Sequence, residues 1–207
     1  MIHDLVVSCC MNFCRYAHGN YDGVIVADGD SAENGATTIK DATIKSNIRR
    51  GMTFRNTDVT VDDSVISYNG EDGIRITGDV LKNGVVSTKV TFEGTVSSHN
   101  NNKKGIFVGR HTTPPYYADV VVDGMLNTYL NAEDGLFVNG DAQMNLSFTV
   151  ADGGSYNSCQ NTNFDINNRG TSTFVDDTSD GDGYTCGPVE TGSNGSAPTC
   201  VACPACD

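Results

Sequence analysis

Tryptophan is absent from the 207 residues, proline occurs 5 times, and tyrosine and phenylalanine contribute 8 each. A globule built around large rings is therefore not expected, and the 23 glycines point to turns and close backbone approaches. No apolar run reaches the roughly 18 residues that a membrane-spanning helix needs. The opening MIHDLVVSCC has neither the basic start nor the apolar stretch of a secretory leader, so no address is read from it. Positive charge is scarce as well, with 13 Lys and Arg against 26 Asp and Glu and a formal charge of −13. That balance repels nucleic acid and anionic membranes, and a polyanionic partner would need a local basic patch or a bridging cation.

The cysteines fall into two odd sets: Cys9, Cys10 and Cys14, then Cys159, Cys186, Cys200, Cys203 and Cys206. CVACPACD has metal-like spacing, but three thiols without a fourth ligand make a poor zinc site, and a disulfide-bonded, secreted kind of tail is expected. It follows GPVETGSNGSAPT, a flexible linker by composition. Asn145 and Asn194 head N-x-S sequons.

Self-similarity organises what lies between. YNGEDGIRITG at 68–78 returns as LNAEDGLFVNG, with NNNKKGIFVGR between them. The glycine phase runs Gly23, Gly51, Gly73, Gly105 and Gly135, with Asn163 read in the next place. A short segment with apolar first and third residues follows each, such as Ile74 and Ile76, Ile106 and Val108, or Leu136 and Val138; period two is strand, not helix. Four residues before the glycine stand Asn47, Asn69, Asn101 and Asn131, and Cys159 takes that place in the last repeat, where the asparagine column is expected to end. Two further short strands complete each repeat, the earlier one closing on an acid.

Three strands per repeat of 22 to 32 residues, with asparagine at a fixed corner, resemble the right-handed parallel β-helix of the pectin-lyase-like superfamily. The resemblance implies an all-β solenoid of about six turns over residues 20–186, with corner asparagines hydrogen-bonded along the axis. Residues 1–19 are expected to be an irregular start belonging to a truncated first turn, and 187–207 the linker and cysteine tail. Because solenoid ends need caps, the chain is expected to be part of a longer extracellular protein.

Stacking such turns explains the residues before each glycine. Tyr21-Asp22, Arg49-Arg50, Glu71-Asp72, Lys103-Lys104 and Glu133-Asp134 alternate in sign, so neighbouring rungs attract by roughly 0.2–1 kcal/mol a pair and a wrong register repels. The superfamily's polysaccharide-cleaving members use a basic residue beside carboxylates or calcium, or paired aspartates. Here the ladder accounts for Arg49, Arg50, Lys103 and Lys104, and no catalytic residue is assigned. His3, His18, His99 and His111 have no placed partner.

Two surface features remain as candidates. Outward from the glycine strands point Ile25, Thr53, Arg75, Phe107, Phe137 and Asp165, which sets two phenylalanines beside an arginine as a carbohydrate-binding candidate, with Tyr116 and Tyr117 in a nearby insertion. Asp62, Glu93, Asp123, Asp152 and Asp176 close successive strands as a column of one sign, and Asp176, Asp180 and Asp182 have a calcium-loop character; calcium is the cofactor expected there. The expected function is a non-catalytic surface or matrix module that binds carbohydrate, with a polysaccharide lyase, hydrolase or epimerase as the alternative. Expected partners are a glycan surface, other copies of the chain or the rest of a longer one.

Overall fold

Apolar residues at period two make strands with one buried face, and such strands need neighbours. The computed structural model describes residues 16–27, 37–78, 88–110, 116–139, 144–192 and 195–203, and among them 21 strands and no helix. They form three parallel sheets. The first holds β1 (Tyr16–His18), β4 (Thr43–Lys45), β7 (Val65–Ser67), β10 (Thr95–His99), β13 (Met125–Tyr129), β16 (Ser155–Cys159), β19 (Tyr184–Cys186) and β21 (Val201–Ala202). The second holds the glycine strands β2 (Val24–Ala27), β5 (Met52–Arg55), β8 (Ile74–Gly78), β11 (Ile106–Arg110), β14 (Leu136–Val138), β17 (Ile166–Asn168) and β20 (Val189–Thr191). The third holds β3 (Thr37–Lys40), β6 (Asp58–Asp62), β9 (Lys89–Glu93), β12 (Tyr116–Val122), β15 (Met144–Val150) and β18 (Thr171–Asp176). Each turn runs third, first, second sheet and steps to the next turn, which is a parallel β-solenoid.

The core is a set of columns. Val24, Met52, Ile74, Ile106, Leu136 and Ile166 stack in register and are all buried. Each such side chain contributes roughly 1.5–3 kcal/mol of burial. The scarce aromatics gather at the far end, where Phe148, Tyr156, Phe174 and Tyr184 pack with ring centroids 5.2–6.2 Å apart.

One corner fixes the stacking. Asn47, Asn69, Asn101 and Asn131 each donate both the backbone N–H and the side-chain N–H to the Oδ1 of the next turn's asparagine, at 2.9–3.1 Å. The ladder begins at Asn20, whose N–H donates to Asn47 Oδ1. The residue before each rung is left-handed: Gly19, Ser46, Tyr68, Asn100, Leu130 and Gln160 have φ between 53° and 74°. For Tyr68 and Leu130 that conformation costs roughly 1–2 kcal/mol, which the ladder bonds offset. Glycine follows because the next turn's amide lies against it: a Cβ on Gly73 would stand 2.5 Å from Asn101 Nδ2.

The last repeat departs from the sequence reading. The ladder does not end at Cys159; its last rung is Asn161, and the glycine position is taken by Asp165, not Asn163, because Leu136 pairs with Ile166. Asp165 is buried, and its Oδ1 accepts from Asn161 N (3.2 Å) and Nδ2 (2.8 Å), the two bonds that another asparagine would have accepted. Its Oδ2 accepts from Gly187 N. A carboxylate thus caps the ladder, and glycine is not needed where no further amide approaches.

Beyond residue 186 the stack continues. β20 and β21 extend the second and first sheets, Cys159 pairs with Cys203, and Cys186 with Cys200. Buried Asn168 donates to Ser196 O, and Ser196 Oγ donates to Ser172 O. The segment expected as a flexible linker is, where described, the solenoid's last partial turn. Of the expected irregular start, 16–18 form β1, while His3 and the first cysteine set lie outside the described residues.

Asp165→Gly restores the repeat's consensus residue, yet should lower stability by about 1 kcal/mol or more, since it removes the acceptor of the part-buried Asn161 N–H and one acceptor of its side-chain amide, along with the acceptor of Gly187 N–H. Thermal unfolding of the variant checks this, and an unchanged or raised midpoint would count against the cap.

Candidate functional site

The corner that follows the ladder carries the charged residues. Backbone bonds run from Arg49 to Tyr21, Glu71 to Arg49, Lys103 to Glu71 and Glu133 to Lys103 at 2.7–3.1 Å, so these residues form one column. Arg49 lies 3.9 Å from Asp22 and 3.6 Å from Glu71; Arg50 and Lys103 also reach Glu71, at 3.6 and 3.4 Å, and Lys104 pairs with Glu133. Against the pull of burial, Lys103, Arg50 and Arg49 hold the Glu71 carboxyl below its ordinary value.

The residue nearer each glycine forms an inner column of Asp22, Arg50, Asp72, Lys104 and Asp134. Asp72 and Asp134 are buried. Burial holds Asp72 above the ordinary carboxylate range although Lys104, Arg75 and Arg50 pull the other way. Burial does the same at Asp134, opposed by a hydrogen bond from Asn167 and by Lys104. At these two acids desolvation outweighs attraction, so they supply register more than stability.

Outward from the second sheet, one strip crosses the rungs. Arg75, Phe107 and Phe137 pair in register, and the next place belongs to Asn167, not Asp165, for the register reason given above. The Arg75 guanidinium lies 4.4 Å from the Phe107 ring centroid, and the two phenylalanine rings stack at 5.7 Å with 22° between planes. Lys104 Nζ stands 4.9 Å from the Phe137 centroid, with the Arg169 guanidinium at 5.9 Å. Arg75 also reaches Asp72 at 3.9 Å, and Arg169 reaches Glu190 at 3.1 Å. The ring faces are therefore occupied by each other and by cations.

Tyr116 and Tyr117 do not join this strip. They open β12 in the third sheet, and of the expected insertion only 111–115 lies outside the described residues. The acid column also breaks. Asp62 pairs with Glu93, and Asp123 continues from Phe92, but Asp62 is capped by Lys40 Nζ at 2.5 Å. Ala151 follows Asp123 in register, so Asp152 falls in the loop beyond, where it shares a shallow groove with Asp180 and Asp182. Asp176 pairs with core-facing Val150 and turns to accept from Thr178 and Gly183. Spacing counted along the sequence missed a loop one residue longer. Among the described residues no three carboxylate, imidazole or thiolate groups converge as a metal site.

Sequence reasoning passed over the first sheet's outward face. His99 and Tyr129 stack at 4.7 Å, with Tyr68 edge-on to His99 at 6.0 Å. Asn100 Nδ2 lies 2.8 Å from His99 Nδ1, and burial holds that imidazole below its ordinary value. The signal was present as a shared position, His99 and Tyr129 each standing two residues before a ladder asparagine.

Compared with known proteins, the chain matches no family model, no curated protein and no solved structure.

The raised carboxyls give a signed expectation. An unfolded Asp titrates near 3.9, and folded Asp72 titrates higher. Between the two values the folded state binds more protons, so this group's contribution to stability falls as pH rises through the window. Asp72→Asn should therefore be at least as stable as wild type at pH 7, with the gap closing as pH falls towards 4. Unfolding midpoints across that range test it; a deficit in the variant that grows with pH would contradict it.

Proposed function

We propose that the chain is a rigid, non-catalytic β-helix module of the pectin-lyase-like kind that binds carbohydrate on a cell or particle exterior. The observation that carries the reading is the strip of Arg75, Phe107, Phe137 and Arg169, which runs along the solenoid axis over consecutive rungs. A track parallel to the axis matches a linear polymer, with the ring edges for apolar contact and the guanidinium N–H groups to donate to hydroxyl or carboxylate oxygens. The pairs Cys159–Cys203 and Cys186–Cys200 are in keeping with an oxidising, extracellular setting.

One observation favours the catalytic alternative, a polysaccharide lyase, hydrolase or epimerase. Asp72 and Asp134, whose carboxyls burial holds above their ordinary value, lie on either side of Lys104, two rungs apart. Both are buried and engaged with their neighbours, and the basic residues Arg49, Arg50, Lys103 and Lys104 are paired with acids, which supports the non-catalytic reading.

The folded chain should be retained by polysaccharide in affinity electrophoresis, and Arg169→Ala should weaken retention without moving the unfolding midpoint, because that side chain is half exposed at the strip's end. Incubation with uronate polymers should generate no unsaturated ends by ultraviolet absorbance. Equal retention by the variant would remove the strip from the account, and cleavage abolished by Lys104→Ala or Asp72→Asn would replace binding with catalysis.

A further inference from the structure

The sequon Asn145-Leu146-Ser147 lies within β15 of the third sheet. Period two sets its three residues apart. Leu146 points into the core and is 2% exposed, in line with buried Phe148 and Val150, while Asn145 and Ser147 alternate outward and are partly exposed. The extended strand therefore presents carboxamide and hydroxyl together on the outer face, with the apolar residue between them turned away.

The surroundings leave that carboxamide available. β15 is the last strand but one of its sheet, followed by β18. Asn145 pairs in register with Tyr117 on one side and Thr171 on the other, and Ser147 with Asp119 and Thr173. Outward asparagines of the other sheets are engaged: Asn157 donates to Asn127 on the first, and Asn167 donates to Asp134 on the second. Among the described residues the Asn145 side chain has no hydrogen bond to a neighbour. The second sequon differs. Asn194 lies outside the described residues, and the hydroxyl of its Ser196 is taken, with Oγ donating to Ser172 O at 2.5 Å.

We propose that Asn145 is a modification site, the acceptor of an N-linked oligosaccharide. The donor is an oligosaccharide on a polyprenyl diphosphate. Asn145 Nδ2 bonds to the anomeric carbon of the first sugar and gives up one proton, and the lipid diphosphate leaves with the electron pair of the broken C–O bond. Transfer takes place on the extended chain, in the oxidising compartment where Cys159–Cys203 and Cys186–Cys200 also form. What the fold decides is whether the product can be kept. A sugar on an inward residue would destroy the core, whereas one on Asn145 stays outside it. Tyr117, one strand spacing of about 4.8 Å away, offers the first sugar an apolar ring beside the amide, which gives that tyrosine a role on its own sheet. The inference rests on the extracellular part of the proposed function and not on the second-sheet strip. The chain then carries carbohydrate on one face and binds it on another.

The full chain, produced behind a secretory leader in eukaryotic cells, tests this. Peptide mass spectrometry after release by peptide N-glycosidase in heavy-oxygen water should tag Asn145 in most molecules. Asn145→Gln and Ser147→Ala should each remove the tag, and Ser147→Thr should keep it. The glycosylated chain should hold both disulfides and unfold at a midpoint no lower than that of Asn145→Gln. A secreted chain with both cysteine pairs formed and Asn145 bare overturns the proposal while leaving the extracellular setting standing, as does a glycan found on Asn194 alone. A glycan on Asn145 confined to molecules that fail to fold overturns it too, because the sheet then does not accommodate the sugar. Free thiols at the four paired cysteines of the secreted chain would overturn the extracellular reading and this site with it. The effect of Arg169→Ala on retention bears on the strip alone.

Discussion

Every feature of this chain depends on one constraint: each turn lies on the next in register, one strand spacing away. Burial of one face resists a slip by one residue, which would turn the apolar side chains outward, but a slip by two keeps them inward, so strand pairing alone does not fix the register. Hydrogen-bonded carboxamides at one corner do enforce it. A rung displaced by a residue would strand a buried amide and two N–H groups, at roughly 1–3 kcal/mol each. The left-handed residue before each asparagine and the glycine four beyond it are consequences of that ladder, the first turning the chain into the corner and the second making room for the neighbouring amide.

Charge works on the same register from outside. Alternating signs before the glycines place unlike charges on adjacent rungs, yet the inner acids Asp72 and Asp134 are held above their ordinary carboxyl range by burial, so the ladder discriminates against misregister without adding much to stability. The same accounting explains why four basic residues at the corner are poor evidence for catalysis. Where the two residues before the glycine position cease to be charged, at Asn163 and Phe164, the asparagine ladder also ends and Asp165 closes it.

The three-sheet architecture, the glycine phase and four ladder asparagines were legible in the sequence because each is a residue type repeated at one corner. The ending was not. Counting 28 residues from Gly135 chose Asn163, whereas pairing of Leu136 with Ile166 required 30, and only the inward alternation of Ile166 and Asn168 separates the two. The acid column failed for a similar reason, since Asp152 lies past a longer loop and Asp176 one residue early. The left-handed corner positions carry Ser, Tyr, Asn, Leu and Gln and have no sequence signature at all. The aromatic strip on the second sheet was legible in Arg75, Phe107 and Phe137.

Native-state hydrogen exchange measured at the corner tests the central claim most directly. Corner amides normally exchange quickly because water reaches them. If the ladder holds the stack together, the backbone amides of Asn69, Asn101 and Asn131 should exchange as slowly as those of the core residues Val96 and Leu126. Exchange of the three asparagine amides at the rate of exposed turns, with Val96 and Leu126 still protected, would show that the strands and not the ladder set the register.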